Sequence, residues 1–577
     1  MGSKKYIFIG LTFIIIITLT VMFLSKSKKG YLVDEQTLTK GKNLFSTQCL
    51  SCHSLSEEGI GPRLGGVTTV LSEQHLLDFI LNPATIIASG DLRANILQKR
   101  YNQVMPSFDF LKDDDIKSIL AYIDNESKLL KIEPLKVDTS IANISQVSEK
   151  YAPDIKKSGL VIQLEDFIKI SRADSNPPDK GIATLRAYPA GNGTLFVSDQ
   201  MGIIYRIENG KADTFLNVRA AFPDFIFTPG IGTGLGSFAF HPDFLLNGLI
   251  YTTHAEQFIG KLSDFHFADT FEPGLQWVLS EWKINDIKAH KFKGSSRELF
   301  RINTPTTGHG VQDISFVPTT DKKNPDYGML FLGIGDGGSI NIKRPDLVHN
   351  KQSLLGTVIR INPLGKNSKN GQYGIPADNP FAKDPDPATR KEIWAYGFRN
   401  PHRMAWDIKN NRMLIADIGE SNIEEVNVIE KGKDYGWPVR EGNYRIATKE
   451  DPKTIYPLND SERAVYHAPF AVYDHTEGNA ISGGYVYEGK LDALKNKYVF
   501  GDIATGKLFY VNMDGPLSDS SVYDLSIVEN NTPTDLLQLN NTKRVHLRIG
   551  YDVYAKELYI MSKNGMIRKV TDAYIKK

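Results

Sequence analysis

Two cysteines, Cys49 and Cys52, are the whole thiol complement of the 577-residue chain, and both stand in "QCLSCH" directly before His53. Thiols at this spacing can add to the vinyl groups of a haem while the adjacent imidazole ligates the iron, the C-x-x-C-H pattern of c-type attachment. A redox dithiol or half of a zinc site would use the same cysteine spacing. A zinc cage, however, needs further ligands, and no other cysteine exists to supply them. A thioredoxin-like dithiol wants a βαβ setting, which the surrounding residues lack. A second stretch with chemical potential is "TPTTGHGVQDISF" (304–316), where His309 stands between two glycines ahead of an alternating apolar run. Histidine exchanges protons near neutral pH, which makes His309 a candidate general base. A polar turn residue is the alternative.

The residues around the thiols read as helix. "DEQTLTKGKNLFSTQCLSCHSL" is a short amphipathic pattern ending at the motif, and "GIGPRLGGV" follows as a loop suited to a haem edge. In "VMPSFDFLKDDDIKSILAYI", Met105 precedes Pro106, and Ile116, Ile119, Leu120 and Ile123 then recur at helical spacing. The order resembles a small monohaem cytochrome c, an all-α domain over residues 35–126. That resemblance implies one covalent haem c with His53 and Met105 as axial ligands, a pairing that raises the reduction potential. A core methionine is the alternative for Met105. The same resemblance implies haem attachment outside the cytoplasm.

Tyr6 to Leu24 is uncharged and long enough to span a bilayer core. No small-residue cleavage pattern and no lipidation cysteine follows, so residues 1–30 are expected to be an uncleaved transmembrane anchor. Lysines flank it on both sides (Lys4, Lys5, Lys26, Lys28, Lys29), so charge does not orient it. The haem does, placing the bulk of the chain on the periplasmic or outer face. Residues 127–175 lack a strong period, contain "RADSNPPDK", and are expected to be a linker. A formal net charge of +1 gives no reason to expect nucleic acid as a partner.

From about residue 176 short apolar runs alternate with Gly, Asn and Asp. A strand–turn–strand unit recurs six times, at Leu195, Leu249, Leu330, Met413, Tyr498 and Leu558. Repeated antiparallel units without helical periodicity predict an all-β six-bladed propeller over 176–577, with long loops building a site on one face. The fold class is therefore multidomain: a transmembrane helix, an all-α cytochrome c domain and an all-β propeller.

Seven segments in order then resemble the pyrroloquinoline-quinone (PQQ) dependent sugar dehydrogenases: "GLGSFAFHPDF", "GHGVQDISFVP", "FLGIGDGG", "LLGTVIRINP", "EIWAYGFRNPHRMAWD", "IGESNIEEVNVIEKGKDYGWP" and "ISGGYVYEG". The resemblance implies His309 as the general base and PQQ as cofactor, contacted by Arg399, Asn400, Tyr473 and Arg548. It further implies an active-site calcium bound through the Gly419 carbonyl, with Glu420 or Glu425 as a possible further ligand. The substrate it implies is a sugar or polyol, and the electrons would pass through haem to a downstream cytochrome or terminal oxidase. The sequence departs from the family pattern at Gly308, where an aspartate is expected, at Gly232 and His402, where glutamines are expected, and at Glu420, where a proline is expected. The expected lysine aligns near Ala504, with Lys507 close by. "YDHTEGNAISGGYVYEG" is also similar to the hedgehog-interacting-protein branch, in which the propeller binds partners. A non-catalytic sugar- or protein-binding propeller fused to an electron-transfer cytochrome is therefore the second reading. "GIGDGG" (333–338) is expected to be a tight turn without a ligand role.

Overall fold

The computed structural model describes residues 31, 33–50, 52–56, 61–101, 105–137, 150–171, 181–227, 232–267, 271–447, 451–514 and 521–576. The membrane span expected at Tyr6 to Leu24 lies outside them. Among the described residues no helix is long and apolar enough to cross a membrane.

The N-terminal module is helical. Its first helix, Glu35–Leu44, starts where the Asp34 carboxylate accepts the Thr37 N–H at 2.9 Å, and it runs on through a wider turn, Phe45–Cys49. Its last helix, Asp113–Leu129, opens on three aspartates that complement the positive end of the helix dipole. The two helices meet at Gly41, where a Cβ would lie 2.0 Å from the Ser118 carbonyl oxygen. Phe45, Leu76, Leu77, Ile116, Ile119, Leu120 and Ile123 form the core beneath this crossing. The apolar spacing of the last helix thus points inward along one face.

The larger domain is propeller-like and contains six four-stranded antiparallel meanders. Their innermost strands are Ile182–Ala187, Leu235–Phe240, Asp313–Phe316, Pro401–Asp407, Tyr485–Val486 and Arg548–Asp552, which touch one another in that order around a closed ring. Closure depends on a strand from the stretch expected to be linker. Leu160–Lys169 pairs antiparallel with Met566–Ile575 as the outer strand of the last meander, with Leu160 opposite Ile575. It also runs parallel to Tyr523–Glu529 of the preceding meander. The reason is local: Leu160, Ile162 and Leu164 alternate along "LVIQLEDFIK" and are wholly buried. A small sheet, Arg440–Glu441, Tyr444–Ala447 and Asp451–Pro457, is inserted before the outer strand of the fourth meander.

Candidate functional site

The thiol motif wraps the end of the first helix. The Cys52 and His53 N–H groups donate to the Cys49 carbonyl at 3.1 and 2.9 Å. His53 Nδ1 lies 2.7 Å from the Pro62 carbonyl oxygen, so Nδ1 carries the proton and Nε2 keeps its lone pair for a metal. Burial lowers the His53 pKa and so favours the neutral ligand form. Gly61 covers the ring so closely that a Cβ there would sit 2.4 Å from His53 Cε1. Burial, with the neighbouring Cys52, pushes the Cys49 thiol up to about 12. Met105, half-buried, opens the loop leading to the last helix, and the Phe108 N–H anchors this loop to the Ile80 carbonyl at 3.1 Å. An aprotic Nε2 under a glycine cradle, beside two thiols, fits haem c.

In the propeller, His309 adopts a left-handed backbone (φ 44°), a strained conformation for a residue with a side chain. Its Nδ1 lies 2.6 Å from Asp336 Oδ1, and its side chain is 16% exposed against 1% for the carboxylate. The Asp336 carboxylate also accepts the Gly338 N–H at 2.8 Å and the Trp437 Nε1–H at 3.0 Å. Burial alone would raise its pKa, but the charge and hydrogen bond of His309, with Arg399 nearby, hold it below the usual carboxylate range. The acidic neighbour missing at position 308 is therefore supplied from "GIGDGG", the loop expected to have no such role. With Nδ1–H committed to Asp336, His309 Nε2 is left as a proton acceptor.

The pocket beside this pair is lined by Gln200, Trp277, Gln312, His402, Arg403 and Arg548. The Trp277 ring closes on Gly310, where a Cβ would lie 1.9 Å from it, which ties the pocket wall to the His309 loop. His402 Nδ1 bonds the Gln312 Oε1 at 2.7 Å, while its Nε2 is buried without a partner. Burial and the Arg403 and Arg548 charges push the His402 pKa well below its usual value, so the ring is neutral. Arg403 donates only to the backbone carbonyls of Gln312, His402 and Ala183. Arg548 donates through one nitrogen to the Leu547 carbonyl, and its Nε is buried and unpartnered. Burial and the neighbouring cations bring the Arg548 pKa down to about 9. Buried arginines without a carboxylate partner, next to an orphaned imidazole nitrogen, suit an anionic ligand. The charge of this set matches a quinone carrying carboxylates, while the cavity between the side chains, about 10 Å³, is smaller than such a ligand. Gln200 and Gln312 are the amide side chains in the lining of this pocket.

Other expected contacts go elsewhere. Arg399 spends its fork on Glu420, with Nε and a terminal nitrogen at 2.7 and 2.6 Å from Oε2, and its ring-facing carbon lies 5.7 Å from the Trp437 ring centre. The Arg399 and Asn400 N–H groups donate to Asp417 at 3.1 and 2.7 Å. The loop from Glu420 to Ile423 is pinned by Glu441, whose Oε1 accepts four successive N–H groups. Gly419 is required because a Cβ would meet the Ile423 carbonyl oxygen at 1.9 Å. The Glu420 carboxylate, expected as a possible calcium ligand, is paired with Arg399. Tyr473, expected beside the cofactor, is instead a core residue. Its hydroxyl donates to Asp502 at 3.1 Å, and its ring packs 5.3 Å from Phe509. Lys507 pairs with Glu477 at the surface.

Asp336, Arg403, Gln312 and Glu441 were not singled out from the sequence. For Asp336 the available signal was an aspartate at the end of an inner-lying strand, Leu330–Ile334, in the meander that follows His309.

The propeller-like region is similar to known proteins. The HIPL1 protein of Arabidopsis thaliana is 26% identical over 441 residues, 66% of this chain and 60% of that protein. Quinoprotein glucose dehydrogenase B of Acinetobacter calcoaceticus is 26% identical over 261 residues, 41% of this chain and 46% of that protein. The match thus spans less than two thirds of either relative. The crystal structure of the soluble aldose sugar dehydrogenase of Escherichia coli in its apo form superimposes with a TM-score of 0.50 at 18% identity, covering 72% of this chain and all of that one, which speaks to the fold. The cytochrome c family profile matches residues 38–127. The glucose/sorbosone dehydrogenase profile matches residues 184–530, more than half of the sequence, so the chain belongs to the glucose/sorbosone dehydrogenase family and carries a cytochrome c module ahead of that region.

Proposed function

We propose that the protein is a membrane-anchored quinoprotein dehydrogenase that oxidises a sugar or related alcohol and delivers the electrons through its own haem c to a soluble cytochrome or terminal oxidase. The observation that carries this reading is the His309–Asp336 pair standing beside a pocket whose arginines have no carboxylate partner. His309 Nε2 takes the proton of the substrate hydroxyl, and Asp336 stabilises the imidazolium that forms, as in other His–carboxylate pairs. Trp437 and the Gly338 N–H hold Asp336 in place. Arg403 and Arg548 would hold the cofactor's carboxylates, and neutral His402 would offer an acceptor. PQQ, when bound, supplies the two-electron acceptor, and haem c the one-electron carrier. A tethered one-electron carrier is useful to such an enzyme, which must return two electrons singly. The six meanders act as the six blades of the scaffold, and covalent attachment of haem c outside the cytoplasm supports a periplasmic or outer location for both domains.

A second reading, a non-catalytic binding propeller, is favoured by one observation: the arginine expected to meet the cofactor, Arg399, is already neutralised by Glu420. One experiment separates the two. The haem-loaded protein is incubated with PQQ, with and without calcium, and the haem bands are followed on adding an aldose panel. Quinone-dependent reduction that is lost in His309→Ala supports the enzyme. Absence of PQQ binding sinks that reading.

A further inference from the structure

A second histidine–carboxylate pair shares a loop with the first. The connection 335–356, between strands Leu330–Ile334 and Thr357–Ile361, carries Asp336 near its start and His349 farther on. The Gly356 N–H closes the base of this loop by donating to the Gly335 carbonyl at 3.2 Å. His349 holds a left-handed backbone (φ 55°), and its Nε2 lies 2.9 Å from each oxygen of the Asp434 carboxylate. Nε2 therefore carries the proton and donates it to a carboxylate that is only 14% exposed. Asp434 in turn begins the tight turn that delivers Trp437. Its Oδ1 also accepts the Gly436 N–H at 2.8 Å, and Gly436 takes a φ of 90°, which glycine adopts without strain. The Tyr435 and Trp437 N–H groups donate to the Tyr396 and Gly397 carbonyls at 2.8 and 2.9 Å. From this turn the Trp437 indole N–H reaches Asp336 at 3.0 Å. A circuit of bonds thus closes, from Asp336 along its own loop to His349, across to Asp434, and back through Trp437.

We propose that His349 is a positioning residue for the His309–Asp336 pair: by holding Asp434 it fixes the turn that aims the Trp437 indole at Asp336, and so fixes the carboxylate that orients His309. The effect on proton transfer rests on the reading of His309 as the base, whereas the clamp itself does not. Without the His349 donor, the mostly buried Asp434 carboxylate lacks a partner and turns toward water, which frees the Gly436 N–H and loosens the turn. Asp336 then loses the aim of one of its three donors, and a base held by a looser carboxylate spends less time in the reactive orientation.

The test reads the indole directly, by magnetic resonance on the haem-loaded ferrous protein without quinone or sugar. The chain has five tryptophans, whose indole nitrogens are isotopically labelled, and the Trp437 signal is the one lost in Trp437→Phe. Exchange of its indole proton with heavy water is compared in wild type, His349→Ala, His349→Gln and Asp434→Asn. Exchange is expected to be about tenfold faster in His349→Ala. His349→Gln, whose amide can still donate to Asp434, should keep most of the wild-type protection. Where His349→Ala does not fold, Asp434→Asn, of equal size and a weaker acceptor, is read instead and should exchange about threefold faster. In turnover with PQQ and sugar, His349→Ala should lower kcat about tenfold with KM unchanged, because the clamp is separate from the substrate. Unchanged Trp437 exchange in a folded His349→Ala overturns the clamp, as does His349→Gln losing as much protection as His349→Ala. Faster exchange with unchanged kcat overturns the positioning role. A wild type without dehydrogenase activity sinks the reading of His309 as the base and the positioning role with it, and the exchange rates still judge the clamp.

Discussion

Arg399 and Arg403 lie on one short stretch, "RNPHR", yet their surroundings differ in kind. Arg399 faces a balanced wall: Glu420 takes its fork, Asp417 takes its backbone N–H, and Glu441 pins the loop that carries Glu420. Arg403 faces a less balanced one, where it and Arg548 hydrogen-bond backbone carbonyls and the Asp313 charge acts on Arg403 without a direct ion pair. A buried charge costs several kcal/mol unless something offsets it. On the first wall the protein supplies the offset, so the arginine is structural. On the second the offset is only partial, which suits an anionic ligand.

Substitutions can break or sharpen this contrast. The largest effect is expected at the proton-transfer pair, where His309→Ala should lower kcat by roughly 10²–10⁴-fold. Asp336→Asn should lower it less, and should also lower the melting temperature at neutral pH, because the buried carboxylate's contribution to stability is lost. On the balanced wall, Arg399→Ala strands the Glu420 carboxylate and should cost about 3–5 kcal/mol of stability. Replacing both partners, Arg399→Met with Glu420→Met, should recover most of that loss in denaturant unfolding. On the less balanced wall the sign reverses. Arg548→Gln should leave stability unchanged or improved, yet weaken quinone binding by about 1.5–3 kcal/mol, read by titration of PQQ. The smallest effect belongs to Tyr473→Phe. It should lose about 1 kcal/mol of stability with PQQ affinity unaltered, because the hydroxyl serves only Asp502.

The pH dependence follows the same division. Asp336 has a lowered folded pKa, so its contribution to stability is fully present above the ordinary aspartate value of about 3.9. That contribution is lost as pH falls through the lower folded value. Acid unfolding of Asp336→Asn should therefore be shallower than that of wild type below about pH 4.

The haem motif was legible because its chemistry is contiguous: two thiols and an imidazole within one turn need no tertiary information. The strand texture was legible for a similar reason, since alternation is local. What the sequence could not reveal is which residues face one another. His309 finds its carboxylate in a glycine-rich turn of the next strand pair, and a glycine-rich turn looks the same whether or not its aspartate points at a histidine. Tyr473 lies on an outer strand, and similarity of segment order does not say which side of such a strand faces a cofactor. It stands opposite Glu424 in the register, and its ring turns into the core between sheets. The strand Leu160–Lys169 was missed because its partner is so remote. Glu165 and Thr571, which hydrogen-bond across that pairing, stand 406 positions apart.

That distance orders the protein's birth. A chain made from its N-terminus completes the cytochrome helices early, since their contacts are local. Leu160–Lys169 must then wait, exposed and apolar on one face, until the final strand emerges. The cytochrome module can therefore fold, and its haem motif form, before the ring is sealed. Weakening the seam should send the newly made protein to proteases with its cytochrome module already folded.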